Sequence, residues 1–571
     1  MSKSKWLRTA VLALLLNAIS LTVQAQNAAE TEFIALRDAY VAKFQPLYVE
    51  SERAKWEASI SGVDAAFARQ RIAEEALVDL HGDRAVFARL KKLYDGGEVR
   101  DPVLSRELGV MYRSYLPLQA APELLKKIVA LESEAEQLFN THRGVVKGKP
   151  MTENEIRRIL AETTDSAAAE AAWKGYMEVG KKVENRLHQL VLLRNQAARE
   201  LGYSNFYSMS LALQEIDEQE LSRLFDELNE LTRAPFEELK AQIDADRAAQ
   251  FNIPVEKLRP WHFGDLFFQE TLGGGADTLS TLYADRDLIQ LAREYYDGLG
   301  LEVDDILARS DLYEKPGKDP HAFSTDLDRA GDVRILCNMK SNLYWADTIL
   351  HELGHAVYDK YIPDTVPFIL HTQAHALTTE GVAIMMGSLA KNQDWLSHAL
   401  KLAPEQTAAA AEAARAATRV EKLVFSRWAQ VMTRFEQGMY ADPEQDLGKL
   451  WWDLKRRYQL LNPPDDLVGA DGHSRPDYGA KTHIVNDPAY YHNYMLGDLF
   501  ACQLHDYVAS KVLGAADPDR ESFYGSKKAG AYLQTNVFAP ANLYPWKEMI
   551  TRATGEPLSA KAFARRCAKA K

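Results

Sequence analysis

Trp345–Lys360 reads WADTILHELGHAVYDK, with His351 and His355 four residues apart and Glu352 between them. On an α-helix that spacing sets two imidazoles one above the other on one face. Both rings can then reach one Zn²⁺ at about 2.0–2.1 Å, leaving Glu352 beside the ion rather than on it. A carboxylate so placed can act as general base on zinc-bound water. The ion lowers that water's pKa towards about 7 and polarises a carbonyl under attack. A catalytic zinc also needs a third protein ligand and one open position. The extended HExxHxxGxxH pattern is absent, because Tyr358 and Tyr361 stand where it needs Gly and His. Glu380, 25 residues beyond His355 at the start of an apolar helical run, is the preferred third ligand, with His371 and His375 as competitors.

These residues need a buried helix and a returning one to hold them. Ile349, Leu350, Leu353 and Val357 give the first helix an apolar stripe, and a loop around Pro363 and Pro367 leaves room for the return. The rest of the chain is patterned in the same way. Leu224, Leu228, Leu231, Phe236 and Leu239 recur at helical steps within Leu221–Asp244, and Thr407–Thr418 is Ala-rich. Leu450–Leu461 reads as a helix stopped by Pro463 and Pro464. Strand signals are few. The clearest are His321–Leu327 and Asp332–Asn338, joined by a turn at Asp328–Gly331 as a small hairpin. Gly273–Gly275 reads as a plain loop without a phosphate-cradle ending. No long linker and no regular repeat interrupts this pattern. The expectation is a mainly α fold, with residues 26–571 as one large helical body and a small β-hairpin beside the metal helix.

Composition narrows the function classes. The 571 residues are 46% hydrophobic and 26% charged, which excludes a disordered chain and a polytopic membrane protein. Acidic residues outnumber basic ones by 81 to 68, a balance unsuited to nucleic acid or an anionic membrane surface. Lys3, Lys5 and Arg8 precede an apolar run from Ala10 to Leu16, and Val23-Gln24-Ala25 has the small-x-small form of a signal-peptidase site. Residues 1–25 are therefore read as a signal peptide cleaved after Ala25, and the mature chain as an exported protein, periplasmic or secreted. Cys337, Cys502 and Cys567 allow at most one bridge and lack CxxC spacing, so none is read as catalytic.

Several motifs together resemble the angiotensin-converting-enzyme (peptidyl-dipeptidase A) family of gluzincin peptidases. His321-Ala322 stands 30 residues before His351, similar to that family's short substrate-pairing strand. Ala480-Lys481-Thr482-His483-Ile484 resembles its AK-x-HI segment. Tyr491 and Tyr494 follow, and Tyr494 keeps an eleven-residue step to His505. LWWDL at Leu450–Leu454 and the HFGDLFFQ segment ending at Gln269 are similar in style. The likeness runs from about residue 31 over nearly the whole mature chain.

The resemblance implies a two-lobed helical peptidase with a deep central cleft and one zinc per chain. It implies that His483 and Tyr494 donate hydrogen bonds to the tetrahedral oxyanion, while Glu352 takes a proton and returns it to the leaving amine. Lys481, Tyr491 and Gln269 would grip the substrate's C-terminal carboxylate, and His321 and Ala322 would bind its backbone as an added strand. The activity implied is release of C-terminal dipeptides from oligopeptides with a free C-terminus, by a monomer with no nucleic-acid or membrane partner.

The chain also departs from the family pattern. The family's second-shell Asp, four residues after the glutamate ligand, falls at Ile384, so another group must orient the ligand histidines. Asn493, Lys455 and Tyr207 replace the chloride arginines, which argues against chloride activation. Pro320 replaces one of the cysteines that flank the family's hairpin, with Cys337 as the survivor. Two other readings stay open: a gluzincin oligoendopeptidase without a C-terminal requirement, and a catalytically silent peptide-binding homologue.

Overall fold

The structure, a computed structural model, describes residues 27–270, 276–470 and 472–568. The leader read over residues 1–25 and the Gly273–Gly275 loop lie outside the described residues. The fold is mainly α: 69% of the structure is helical, and the sheet among the described residues is two short hairpins. Among the described residues, no helix is long and apolar enough to cross a membrane.

The elements that matter for the site are few. α1 (Ala28–Ser61) and α2 (Ser166–Glu200) are long helices, and between them β1 (Gly144–Val146) and β2 (Lys149–Met151) form a hairpin that the sequence pattern did not announce. α3 (Glu218–Phe251) follows. β3 (Phe323–Asp326) and β4 (Val333–Leu336) then pair antiparallel, Phe323 opposite Leu336, directly before α4 (Leu343–Lys360). Next come α5 (Ala376–Ser388), α6 (Pro404–Ala441), α7 (Leu447–Leu454) and α8 (His492–Tyr507).

Local chemistry explains the central helix. The Asn342 side chain accepts the N–H of Trp345 at 2.9 Å and so caps α4. Ile349, Leu350, Leu353 and Val357 are all fully buried, each contributing about 1.5–3 kcal/mol relative to exposure. Glycines then let neighbouring helices approach α4 and one another. A Cβ on Gly354 would lie 2.9 Å from the Cα of Ala383 in α5, and one on Gly497 would lie 3.0 Å from the Cβ of Glu380. α5 is thereby clasped between α4 and α8.

Two expectations need correction at their ends. The β3–β4 strands are shorter than their sequence signals. Asp319 accepts the His321 N–H at 2.8 Å and bends the chain before β3, while the Cys337 N–H leaves the ladder for the Asp311 carbonyl at 2.9 Å. His321 and Ala322 thus precede the strand instead of belonging to it. Leu450–Leu461 is not one continuous α-helix either: α7 gives way to a π turn at Lys455–Gln459, closed by Leu460 at φ 54°. The three cysteines are buried free thiols.

Candidate metal centre and its surroundings

α4 and α5 bring His351, His355 and Glu380 together, with ligand atoms within 4.8 Å of one another. The two Nε2 atoms are 3.2 Å apart, and Glu380 Oε2 lies 3.8 and 4.0 Å from them. Two nitrogens on one tetrahedral zinc stand roughly 3.3 Å apart at ordinary bond lengths, so the histidine pair fits such an ion and the carboxylate needs only a small approach. Burial lowers the pKa of His351, and that of His355 well below the usual value, so both rings offer neutral lone pairs at neutral pH.

The competitors for third ligand are used otherwise. His375 caps α5, its Nδ1 accepting the Leu377 N–H at 3.0 Å. His371 is buried within reach of the Arg329 charge. Ile384 supplies no polar atom where the Asp of the family pattern would stand. Instead, the Thr379 hydroxyl lies 2.6 Å from His355 Nδ1. With Nδ1–H directed at that oxygen, the tautomer leaves the Nε2 lone pair facing Glu380. Sequence reading missed Thr379, although its place next to Glu380 was a usable signal.

Glu352 is buried, and burial followed by the Glu380 charge pushes its carboxyl up to about 8. Tyr494 lies within electrostatic reach of Glu380, and its ring is 6.4 Å from that of His483 and 5.2 Å from that of Tyr491. Nδ1 of His483 is buried with no hydrogen-bond partner among the described residues. Burial and then Lys481 hold this imidazole down at about 4, so it is neutral across the ordinary pH range. Between His483 and Tyr494 the chain passes through Ala489 at φ 54°, whose N–H is taken by buried Glu436 at 2.7 Å.

A second cluster adjoins this one. The Lys481 ammonium donates to Gln269 Oε1 at 2.8 Å and sits 5.6 Å from the centre of the Tyr491 ring. Burial lowers Lys481 to about 8, so it carries its charge at neutral pH. The loop bearing Gln269 is pinned from two sides. Asp265 accepts the N–H groups of Phe267 and Gln269 at 3.1 and 2.9 Å, while Lys455 and Gln459 of the π turn donate to the carbonyls of Phe267 and Phe268. No spacing rule announced these supports. The His321 side chain is 86% exposed and paired with Asp319. Among the described residues, β3 has a single strand partner, β4.

The structure is thus a mainly helical body with a His-His-Glu triad, a candidate metal site, set on two clasped helices. The family model described as angiotensin-converting enzyme matches residues 25–254 and 276–565, and the chain belongs to that family. It is similar to angiotensin-converting enzyme of Oryctolagus cuniculus, 21% identical over 568 residues covering 94% of this chain and 42% of the relative. The enzyme of Sus scrofa is 22% identical over 433 residues, covering 71% of this chain and 32% of the relative. The chain thus spans less than half the length of these relatives.

Proposed function

We propose that this chain is a zinc peptidyl-dipeptidase that removes C-terminal dipeptides from oligopeptides with a free C-terminus, with His351, His355 and Glu380 as metal ligands. Zinc held there would supply a Lewis acid that polarises the scissile carbonyl and makes water easier to deprotonate. Glu352 takes the proton of the attacking water and returns it to the leaving amine. His483 and Tyr494, as neutral donors, stabilise the negative charge that develops on the carbonyl oxygen. Lys481, Gln269 and Tyr491 hold the substrate carboxylate, and the peptide backbone enters along the exposed approach to β3 at His321 and Ala322.

The observation that carries the reading is the donor-rich cluster around Lys481. It is joined to the triad through the neighbouring rings of Tyr491, His483 and Tyr494. A peptide and its C-terminally amidated twin test it, with products weighed by mass spectrometry with and without chelator. The acid is expected to lose two residues at a time, and only when metal is present. The amide should be cut about 10–100-fold more slowly, because it leaves the buried ammonium unpaired. Internal cutting of both twins at equal rates would replace this reading with an oligoendopeptidase. Substoichiometric zinc at neutral pH would favour the silent homologue.

Thr379 supports a working metal site despite Ile384. Thr379→Val keeps the shape of the side chain but removes its hydroxyl. Zinc affinity, measured by competition with a chelating dye, is expected to fall about 10–100-fold, with Thr379→Ser near wild type. Equal affinity in all three proteins would remove Thr379 from this role.

A further inference from the structure

We propose that Trp428, which the mechanism above does not use, makes the carboxylate clamp reject a neutral amide. The inference rests on the clamp reading of Lys481, Gln269 and Tyr491. Trp428 is fully buried in α6, and its indole Nε1–H donates to the Tyr491 hydroxyl oxygen at 2.7 Å. An indole nitrogen can only donate, so the phenol oxygen must accept. A phenol oxygen has two in-plane directions, one for its lone pair and one for its proton. With the lone-pair direction occupied by Trp428, the proton of Tyr491 is the part left to give.

Gln269 is constrained by the same logic. A lysine ammonium has no acceptor, so the amide oxygen of Gln269 must face Lys481 and its NH₂ points away from it, without a hydrogen-bond partner among the described residues. The groups that remain uncommitted are thus all donors: the other ammonium protons, the Gln269 NH₂ and the Tyr491 O–H. A carboxylate offers only acceptors and satisfies all three. A carboxamide puts an NH₂ against these three donors where the carboxylate put an acceptor, which is how a site excludes a near-isostere.

Trp428 is held firmly for this task. Its ring meets Trp451 edge-on at 5.6 Å and Phe267 at 5.5 Å. The ammonium groups of Lys455 and Lys481 lie 5.2 and 5.5 Å from its centre. It acts through Tyr491 and is a positioning residue, not a catalytic one.

The test compares acid and amide twins of one peptide on the wild-type enzyme, Trp428→Phe, Tyr491→Phe and the double variant. For Trp428→Phe, the KM of the acid should rise about 5–10-fold with kcat within about twofold, and the acid-over-amide preference in kcat/KM should narrow about tenfold. The double variant should be no worse than Tyr491→Phe alone, since one substitution acts through the other. If Trp428→Phe does not fold, benzothienylalanine at position 428 keeps the ring shape without the N–H and gives the same comparison. A wild-type enzyme that discriminates, beside a position-428 variant with the same KM and the same preference, overturns the role of Trp428. Effects of the two substitutions that multiply would overturn it as well. A wild-type enzyme that cuts both twins equally overturns the clamp reading itself, and this inference with it.

Discussion

Glu352→Gln is expected to bind zinc as the wild type does and to lose turnover by about 10³–10⁴-fold. Gln keeps the volume and hydrogen-bonding reach of the carboxylate but cannot take up a proton at neutral pH. The ligand atoms of His351, His355 and Glu380 are untouched by the change, so metal content should not follow activity down. The wild-type carboxyl suits the task because burial and the neighbouring Glu380 charge push it up to about 8, near the working pH, where it can both accept and return a proton. Metal analysis beside kcat/KM checks the result. A Gln variant with full turnover would sink the base assignment. A variant that loses its zinc as well would show that Glu352 serves the fold of α4 instead.

Tyr494→Phe and His483→Ala should each lower kcat by about 10²–10³-fold while KM changes little, because both donors are proposed to act on charge that develops only in the transition state. Nδ1 of His483 is buried without a hydrogen-bond partner among the described residues, and the Tyr494 ring lies 6.4 and 5.2 Å from those of His483 and Tyr491. The sign of the pH effect follows from His483. Its pKa is lowered to about 4, so the ring is already neutral above roughly pH 5, and protonation sets in only as pH falls through 4. An acid limb of kcat/KM between pH 5 and 8 therefore belongs to another group and should persist in His483→Ala. Steady-state kinetics across that range decide the matter. Unchanged kcat in either variant, or loss of that limb in His483→Ala, would refute the assignment.

The contrast between these residues shows where legibility ended. The paired imidazoles were readable because i and i+4 share a helix face whatever else the chain does, and the apolar stripe at Ile349, Leu350, Leu353 and Val357 required that helix to be buried. The β3–β4 hairpin was readable from its alternation and turn, but its ends were not, since Asp319 and Asp311 draw off the backbone groups that would have lengthened it. The π turn at Lys455–Gln459 had no sequence signal, because its role is to meet carbonyls nearly two hundred positions away.

By itself, the order of residues determined a mainly helical protein and a helix that sets two histidines on one face with a carboxylate beside them, since these depend on near-neighbour periodicity. Only the tertiary structure separated Glu380 from His371 and His375, supplied Thr379 in the absence of an acid at 384, and set Trp428 behind Tyr491. Those outcomes depend on how closely the helices approach, and glycines at 354 and 497 let α4 and α8 close on α5. Hydrogen bonds act over about 3 Å, whereas the residues that make them here lie up to 212 positions apart, so helix packing had to bring them together.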